Sequence, residues 1–268
     1  MMKKSPIGIF DSGTGGLTVA KAVKKELPNE DIIYFGDTAH LPYGDKSATT
    51  IQSYSIKITN VLLERGCKVI LIACNSASAA AYELVKEYVG SKALVLNVID
   101  PVIEILENSY QTKKVGLIGT LQTVNSEVFP SKIKQKSLDV DLASLATPLL
   151  VPMIEEGFIH NSISYEIIAQ YLGDERFKEI DGLILGCTHY PIIKSDLDEH
   201  YQGTVRMIDS AEAVAHSLRN QLEKLNLLNE KEDGEDQFLV SDFTPAFQKA
   251  ANLFFNREIT LERYPLWE

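Results

Sequence analysis

The chain has 268 residues, 45% of them hydrophobic, with 26 Lys and Arg against 37 Asp and Glu and a net charge of −11. That length holds one large or two small domains with ample core. So acidic a chain excludes nucleic acid and anionic membranes as default partners, because both reward basic patches.

Short β-rich apolar runs alternate with amphipathic stretches, the pattern of an α/β fold with mainly parallel strands. In chain order the pattern predicts strand 7–10, helix 17–26, strand 32–35, helix 47–65, strand 68–73, helix 76–88, strand 94–97 and helix 101–109. It continues with strands 114–118 and 140–144, helices 148–156 and 163–172, strand 182–185, helix 191–200, strand 205–207, helix 211–225, strand 238–240 and helix 244–255. Ile7-Gly8-Ile9-Phe10-Asp11-Ser12-Gly13 echoes Val115-Gly116-Leu117-Ile118-Gly119-Thr120, and each opens a set of βα units that later contains a strand ending in cysteine. The expected architecture is two similar α/β lobes related by duplication and a pseudo-twofold axis, with the active site in the cleft between them. Asn97-Val98-Ile99-Asp100-Pro101 and Arg206-Met207-Ile208-Asp209-Ser210 read as crossings between the lobes, each carrying an Asp suited to N-cap a helix. The expected division is residues 1–97 plus 211–268 for the first lobe and 98–210 for the second. Residues 229–236, rich in Glu and Asp, read as a charged surface loop.

Only Cys67, Cys74 and Cys187 are available for thiol chemistry, too few for a secreted disulfide framework. No apolar run follows Met1-Met2-Lys3-Lys4 to act as a signal peptide, and no stretch is long and apolar enough for a bilayer, so a reducing cytoplasm is the expected compartment. Cys74 and Cys187 occupy matched settings, each closing an apolar strand and opening a helix: Val69-Ile70-Leu71-Ile72-Ala73-Cys74-Asn75-Ser76 and Gly182-Leu183-Ile184-Leu185-Gly186-Cys187-Thr188-His189. A helix N-terminus favours a thiolate through its free N–H groups and dipole. A single buried cysteine is ordinarily an apolar filler, and Cys67, without polar companions, is read that way. Two placed alike at the carboxyl ends of strands suggest a pair facing each other across a pocket, the arrangement needed to move a proton from one face of a carbon to the other.

The turn Asp11-Ser12-Gly13-Thr14-Gly15-Gly16 lacks the Gly-Lys-Ser/Thr ending of a phosphate loop and the Gly-x-Gly-x-x-Gly spacing. It reads as a tight strand-to-helix turn that frees amides for a carboxylate, with Asp11 either an N-cap or a pocket residue. Pro42 and Gly44 define a second turn in which Tyr43 and Gly44 can present amides to an anion. Thr120 and Thr123 can bind a carboxylate or cap a helix. Cys74, Cys187 and His189 make a poor metal set, with no Cys-x-x-Cys or His-x-x-x-His spacing, so no metal is expected.

Together these motifs closely resemble the bacterial glutamate racemases of the cofactor-independent Asp/Glu racemase superfamily, over nearly the whole chain. The resemblance is carried by Asp11-Ser12-Gly13 with Gly15-Gly16-Leu17, Leu41-Pro42-Tyr43-Gly44, Ala73-Cys74-Asn75-Ser76-Ala77-Ser78, Val151-Pro152-Met153-Ile154-Glu155-Glu156-Gly157 and Leu185-Gly186-Cys187-Thr188-His189-Tyr190-Pro191. It departs at Thr147, where many relatives carry cysteine. The resemblance implies Cys74 and Cys187 as the two acid/bases, Asp11 assisting Cys74, and His189 assisting Cys187 with Glu155 close by. Substrate contacts would come from Asp11, Ser12, Pro42, Tyr43, Gly44, Asn75, Ser76, Thr120, Thr123, Thr188 and His189. It further implies interconversion of L- and D-glutamate without pyridoxal phosphate or other cofactor, Cys187 deprotonating the L and Cys74 the D enantiomer, in supply of D-glutamate for peptidoglycan. The substrate would be the small-molecule partner. Relatives vary in assembly, and a homodimer is the expectation. Alternatives are an aspartate racemase or other cysteine-pair isomerase of the superfamily, or a two-lobed amino-acid-binding protein without catalysis. A redox pair would need the sulfurs at bonding distance, which a substrate-sized gap forbids.

Overall fold

In a computed structural model the protein is described over residues 2–230, 234–255 and 258–268. The chain runs β1 (Ile7–Asp11), α1 (Leu17–Glu26), β2 (Ile32–Gly36), α2 (Ala48–Glu64), β3 (Val69–Ile72), α3 (Asn75–Val89), β4 (Leu94–Asn97) and α4 (Asp100–Ser109). It continues through β5 (Lys113–Gly119), α5 (Leu121–Asn125), α6 (Val128–Gln135), β6 (Val140–Ala146), α7 (Leu150–Glu155), α8 (Ser162–Leu172), β7 (Gly182–Gly186), α9 (Lys194–His200) and β8 (Arg206–Asp209). Last come α10 (Ser210–Lys224), β9 (Gln237–Val240), α11 (Pro245–Phe255) and β10 (Leu261–Arg263).

The strands form two sheets, ordered β10-β9-β2-β1-β3-β4 and β6-β5-β7-β8. Every pairing in both is parallel. The second sheet repeats the order of the first four strands of the chain: β2-β1-β3-β4 corresponds to β6-β5-β7-β8, and a cysteine follows the third strand of each set. Parallel sheets covered on both faces need strands apolar on both faces, and Val69-Ile70-Leu71-Ile72 is buried throughout. On one face of the first sheet Ile9 and Leu71 meet Leu17 and Val23 of α1 and Leu218 of α10. On the other, Ile70 and Ile72 meet Ile58 of α2 and Val85 of α3. The second sheet is sandwiched likewise, Leu183 and Leu185 against α7, α8 and α9, and Leu117 and Ile184 against α4 and α6. The carboxyl ends of parallel strands collect the βα turns at one edge, where α/β folds place their ligands. Among the described residues no helix is long and apolar enough to cross a membrane.

The differences from the predicted elements have local causes. Residues 119–139 carried no predicted helix, yet α5 and α6 lie there, divided by Glu127 in the left-handed region at φ 53°. Each is too short to show a sustained 3.6-residue repeat. Strand β10 spans three residues at a sheet edge, half-exposed or exposed, and has no alternating pattern to read. The helix expected over 148–156 is shortened to α7, and that expected over 191–200 opens as a 3-10 turn, Tyr190–Ile193, before α9. Asp209 caps α10 as expected, accepting the Ala211 N–H at 2.8 Å. Asp100 does not cap α4: Asn97 Oδ1 accepts the N–H groups of Ile99 and Asp100, each at 2.8 Å, because Asp100 already lies within the helix. Residues 231–233 of the predicted charged loop lie outside the described residues.

At the amino ends of β2 and β3, away from the cysteines, Lys68 Nζ meets Glu30 Oε2 at 2.6 Å with both side chains buried. The Leu227 carbonyl accepts from the same ammonium at 2.8 Å, and the Asn229 N–H donates to Glu30 Oε1 at 2.8 Å. Removing one partner strands a buried charge. Lys68→Met is therefore expected to lower stability by about 3–5 kcal/mol, read as a lower urea midpoint; an unchanged midpoint would contradict this role for the pair.

Candidate active site

The two cysteine turns are built differently. Cys74 sits at the N-cap of α3 with extended backbone, and its Sγ accepts the Ala77 N–H at 3.4 Å. Its S–H donates to Ser12 Oγ at 3.7 Å. Burial, then the charge of nearby Asp11, push the Cys74 thiol up to about 12, over the opposing pull of the Ala77 amide and the Ser12 hydroxyl. Cys74 therefore holds its proton at neutral pH.

Cys187 follows β7 but does not start an α-helix, contrary to expectation. The amide equivalent to that of Ala77 belongs to Tyr190, and it donates to the Cys187 carbonyl at 3.1 Å within the 3-10 turn. The sulfur is served instead by a side chain: His189 Nδ1–H lies 3.7 Å from Cys187 Sγ. On the far side of the ring, Nε2–H is shared by Glu155 Oε1 at 3.1 Å and Thr14 Oγ1 at 3.3 Å. Burial alone pushes His189 down, but its bonds to Cys187 and Glu155 more than offset this and raise it to about 10. The imidazole is thus protonated at neutral pH, a cation beside one thiol only.

Asp11, fully buried at the end of β1, accepts the Gly13 N–H at 2.8 Å and the Thr188 hydroxyl at 3.3 Å. Burial raises its pKa, opposed first by the His189 charge and then by the amides of Gly13 and Gly16. The glycines after it serve close approach. A Cβ on Gly15 would lie 2.4 Å from Thr188 Oγ1 and 2.6 Å from His189 Nδ1, so a bare backbone is what lets this turn seat against the Cys187 turn.

Both sulfurs line one cavity of about 20 Å³ at the carboxyl ends of the two sheets. Ser12, Pro42, Tyr43, Gly44, Asn75, Ser76, Thr120, Thr188 and His189 line it with them. Asp11, Thr123 and Glu155 stand behind this wall, each bonded to a lining residue. Val151 also lines the cavity; as an apolar residue without chemistry of its own, it was not singled out, although it opens one of the motifs. Ser76 Oγ lies 2.9 Å from Thr120 Oγ1, which donates to Thr123 Oγ1 at 3.1 Å and caps α5 by accepting the Thr123 N–H at 3.2 Å. Capping and lining thus coincide at Thr120. Asn75 is 2% exposed, and neither its Oδ1 nor its Nδ2 has a partner among the described residues. A buried amide left unpaired costs free energy, so this pair of atoms is suited to a polar ligand. The volume holds about one water molecule, so the two sides must part to admit an amino acid.

Cys67, by contrast, is buried against Gly8, and burial pushes its thiol up to about 12. Thr147 hydrogen-bonds Tyr190 Oη at 2.6 Å behind the site.

The His189 charge has a thermodynamic signature. Its folded-state pKa lies above the free value of 6.5, so the stability it contributes is fully present below about 6.5 and is lost as pH rises through about 10. Glu155→Gln removes one of the stabilising partners and is expected to move the His189 titration down, measured by imidazole NMR. A titration unmoved by the substitution would contradict this account.

Comparison with known proteins agrees with the geometry. The model of the Asp/Glu/hydantoin racemase family matches residues 17–218. The glutamate racemase of Chlorobaculum parvum is 40% identical over 256 residues, covering 95% of this chain and 94% of its own. The solved glutamate racemase of Francisella tularensis in complex with D-glutamate superimposes with a TM-score of 0.92 at 38% identity, over 99% of each chain. That of Thermus thermophilus in complex with β-chloro-D-alanine gives 0.87 at 38% identity, over 98% of each. A two-sheet α/β fold with one cysteine after the third strand of each set, matched to these relatives over nearly its full length, makes this chain a member of the Asp/Glu/hydantoin racemase family.

Proposed function

We propose that the protein is a glutamate racemase, interconverting L- and D-glutamate without a cofactor by two-base chemistry at Cys74 and Cys187. The observation that carries this is the pair of buried sulfurs on one cavity under opposite electrostatic conditions, one protonated beside Asp11, the other beside protonated His189. The full-length likeness to glutamate racemases supplies the substrate.

The hard step is removal of a weakly acidic α-proton next to a carboxylate. In the L-to-D direction Cys187, as thiolate, takes that proton and becomes a thiol. The Cys74 thiol then gives its own proton to the opposite face of the near-planar carbanion and is left as thiolate. Atoms balance, and the enzyme ends in the protonation state that accepts D-glutamate; the original state returns by proton exchange with solvent or by the reverse reaction. His189 sets the condition of Cys187 and Glu155 sustains the charge on His189. The Ser12, Asn75 and Thr188 side chains and the Tyr43-Gly44 turn are assigned to the substrate's charged groups, with Ser76 hydrogen-bonded across the cleft to Thr120, and Thr120 to Thr123. Fixed donors in a water-poor gap stabilise the developing negative charge more than mobile water can. Lobes comprising residues 1–97 with 211–268, and 98–210, part to admit substrate and close over it. The reaction needs two free thiols, and all three cysteines are free, which fits a reducing cytoplasm. D-Glutamate for peptidoglycan is the assigned product use.

The test is circular dichroism of L-glutamate and, in parallel, L-aspartate, with purified protein and neither pyridoxal phosphate nor metal. The L-glutamate signal is expected to decay to zero and the L-aspartate signal to persist. Cys74→Ser and Cys187→Ser are each expected to slow racemisation by at least about 100-fold while equilibrium binding of glutamate is retained. Rapid racemisation by either variant would overturn the assignment, and binding without racemisation by the unaltered protein would make it an amino-acid-binding protein.

A further inference from the structure

Strands β2 and β9 end side by side, and one buried carboxylate gathers the groups that follow them. Asp37, fully buried just past β2, accepts the Tyr43 hydroxyl on Oδ2 at 2.6 Å and the Ser241 hydroxyl on Oδ1 at 2.7 Å. His40 Nδ1 lies 3.1 Å from its Oδ2. The remaining donor comes from far along the chain: Trp267 Nε1–H reaches Oδ1 at 2.8 Å. The segment after β10 is led there over the strand ends, with the Tyr264 N–H on the Val240 carbonyl at 2.8 Å and the Tyr264 ring edge-on to Phe35 at 5.9 Å. The indole is then set edge-on to His40 at 4.5 Å and to Tyr54 at 5.0 Å, with Lys57 Nζ 4.9 Å from the ring centre.

Asp37 does not line the cavity, whereas Pro42, Tyr43 and Gly44 do. The contacts therefore run in series from Trp267 to Asp37 to Tyr43 to the cavity. Packing of the 264–268 segment would require only the rings. A directed N–H bond to a buried acid side chain does more, because a buried polar atom is held by its hydrogen-bond partners and shifts when one is lost. We propose that Trp267 is a positioning residue for substrate: its indole N–H fixes Asp37, and Asp37 fixes the Pro42-Tyr43-Gly44 turn that contacts glutamate. This rests on the glutamate racemase reading, which makes that turn a substrate contact.

Trp267→Phe, in the full chain, keeps a ring between His40 and Tyr54 and removes the donor. Its KM for L-glutamate is expected to rise roughly three- to tenfold, with kcat within about twofold and the melting temperature unchanged. Trp267 is also the single tryptophan of the sequence, so the emission of the unaltered protein reports on this one position. Saturating D-glutamate is expected to shift that emission, and Tyr43→Phe, which cuts the bond to Asp37, to abolish the shift. Unchanged KM in Trp267→Phe overturns the positioning role, including the case in which only the melting temperature falls, which would mark plain packing. Emission indifferent to glutamate overturns it as well, and that measurement stands even if Trp267→Phe does not fold. Racemisation by the unaltered protein is scored first: its absence overturns the racemase reading and this inference together, whereas its presence with an indifferent Trp267→Phe overturns the inference alone.

Discussion

A sulfur taken out of water keeps its proton unless a positive group is brought against it, and the site is organised around that constraint. Cys74 is buried with a carboxylate near it, and the Ala77 amide is too little to offset the two. Cys187 is buried to the same degree, but its sulfur is bonded to a histidine that Glu155 helps to keep charged. Two similar turns thus place their sulfurs in unlike surroundings, and the proposed two-base reaction uses that difference, since one sulfur must take a proton while the other still has one to give. The Gly15 backbone belongs to the same constraint: without a Cβ it lets the Asp11 turn and the His189 turn close to contact distance, so that charges on one sheet set conditions on the other.

The fold brings these groups together by repetition. Each four-strand set places its cysteine after a central strand, between the first strand of the set and the last. Central strands are buried on both faces and rigid, and all their carboxyl ends point to one edge. Both sulfurs are therefore fixed by cores, while the contacts around them come from the turns that follow the strands. Ser76 against Thr120, and Thr14 against His189, are bonds between the turns of the two strand sets, and a cavity no larger than a water molecule is what remains when they are made.

Much of this was legible in residue order. The strand pattern, the paired Cys-bearing strand ends and the hydroxyl-rich turns follow from apolar runs and small polar residues at fixed offsets, which are local properties. The separate partners of the two cysteines were implied by the resemblance, but the backbone of the Cys187 turn was not legible, because Cys187 looks like Cys74 until the Tyr190 amide is seen to turn back on its own carbonyl. Helices α5 and α6 and strand β10 were missed because short elements carry no period. The capping of α4 was assigned to Asp100 where Asn97 performs it, a matter of which residue lies inside the first turn. Asp37 and Trp267 are 230 positions apart in sequence, and the order β10-β9-β2 in the sheet brings them into contact.

The central claim is that two sulfurs, on opposite faces, divide the work. The direct measurement is the isotopic content of both glutamate enantiomers during the first few turnovers of L-glutamate in heavy water, by mass spectrometry after chiral separation. If Cys187 removes the proton and Cys74 supplies another, the D-glutamate formed carries solvent deuterium from the outset while the remaining L-glutamate stays protiated. D-Glutamate that retains the substrate's own proton would mean one base serving both faces, and would contradict the account.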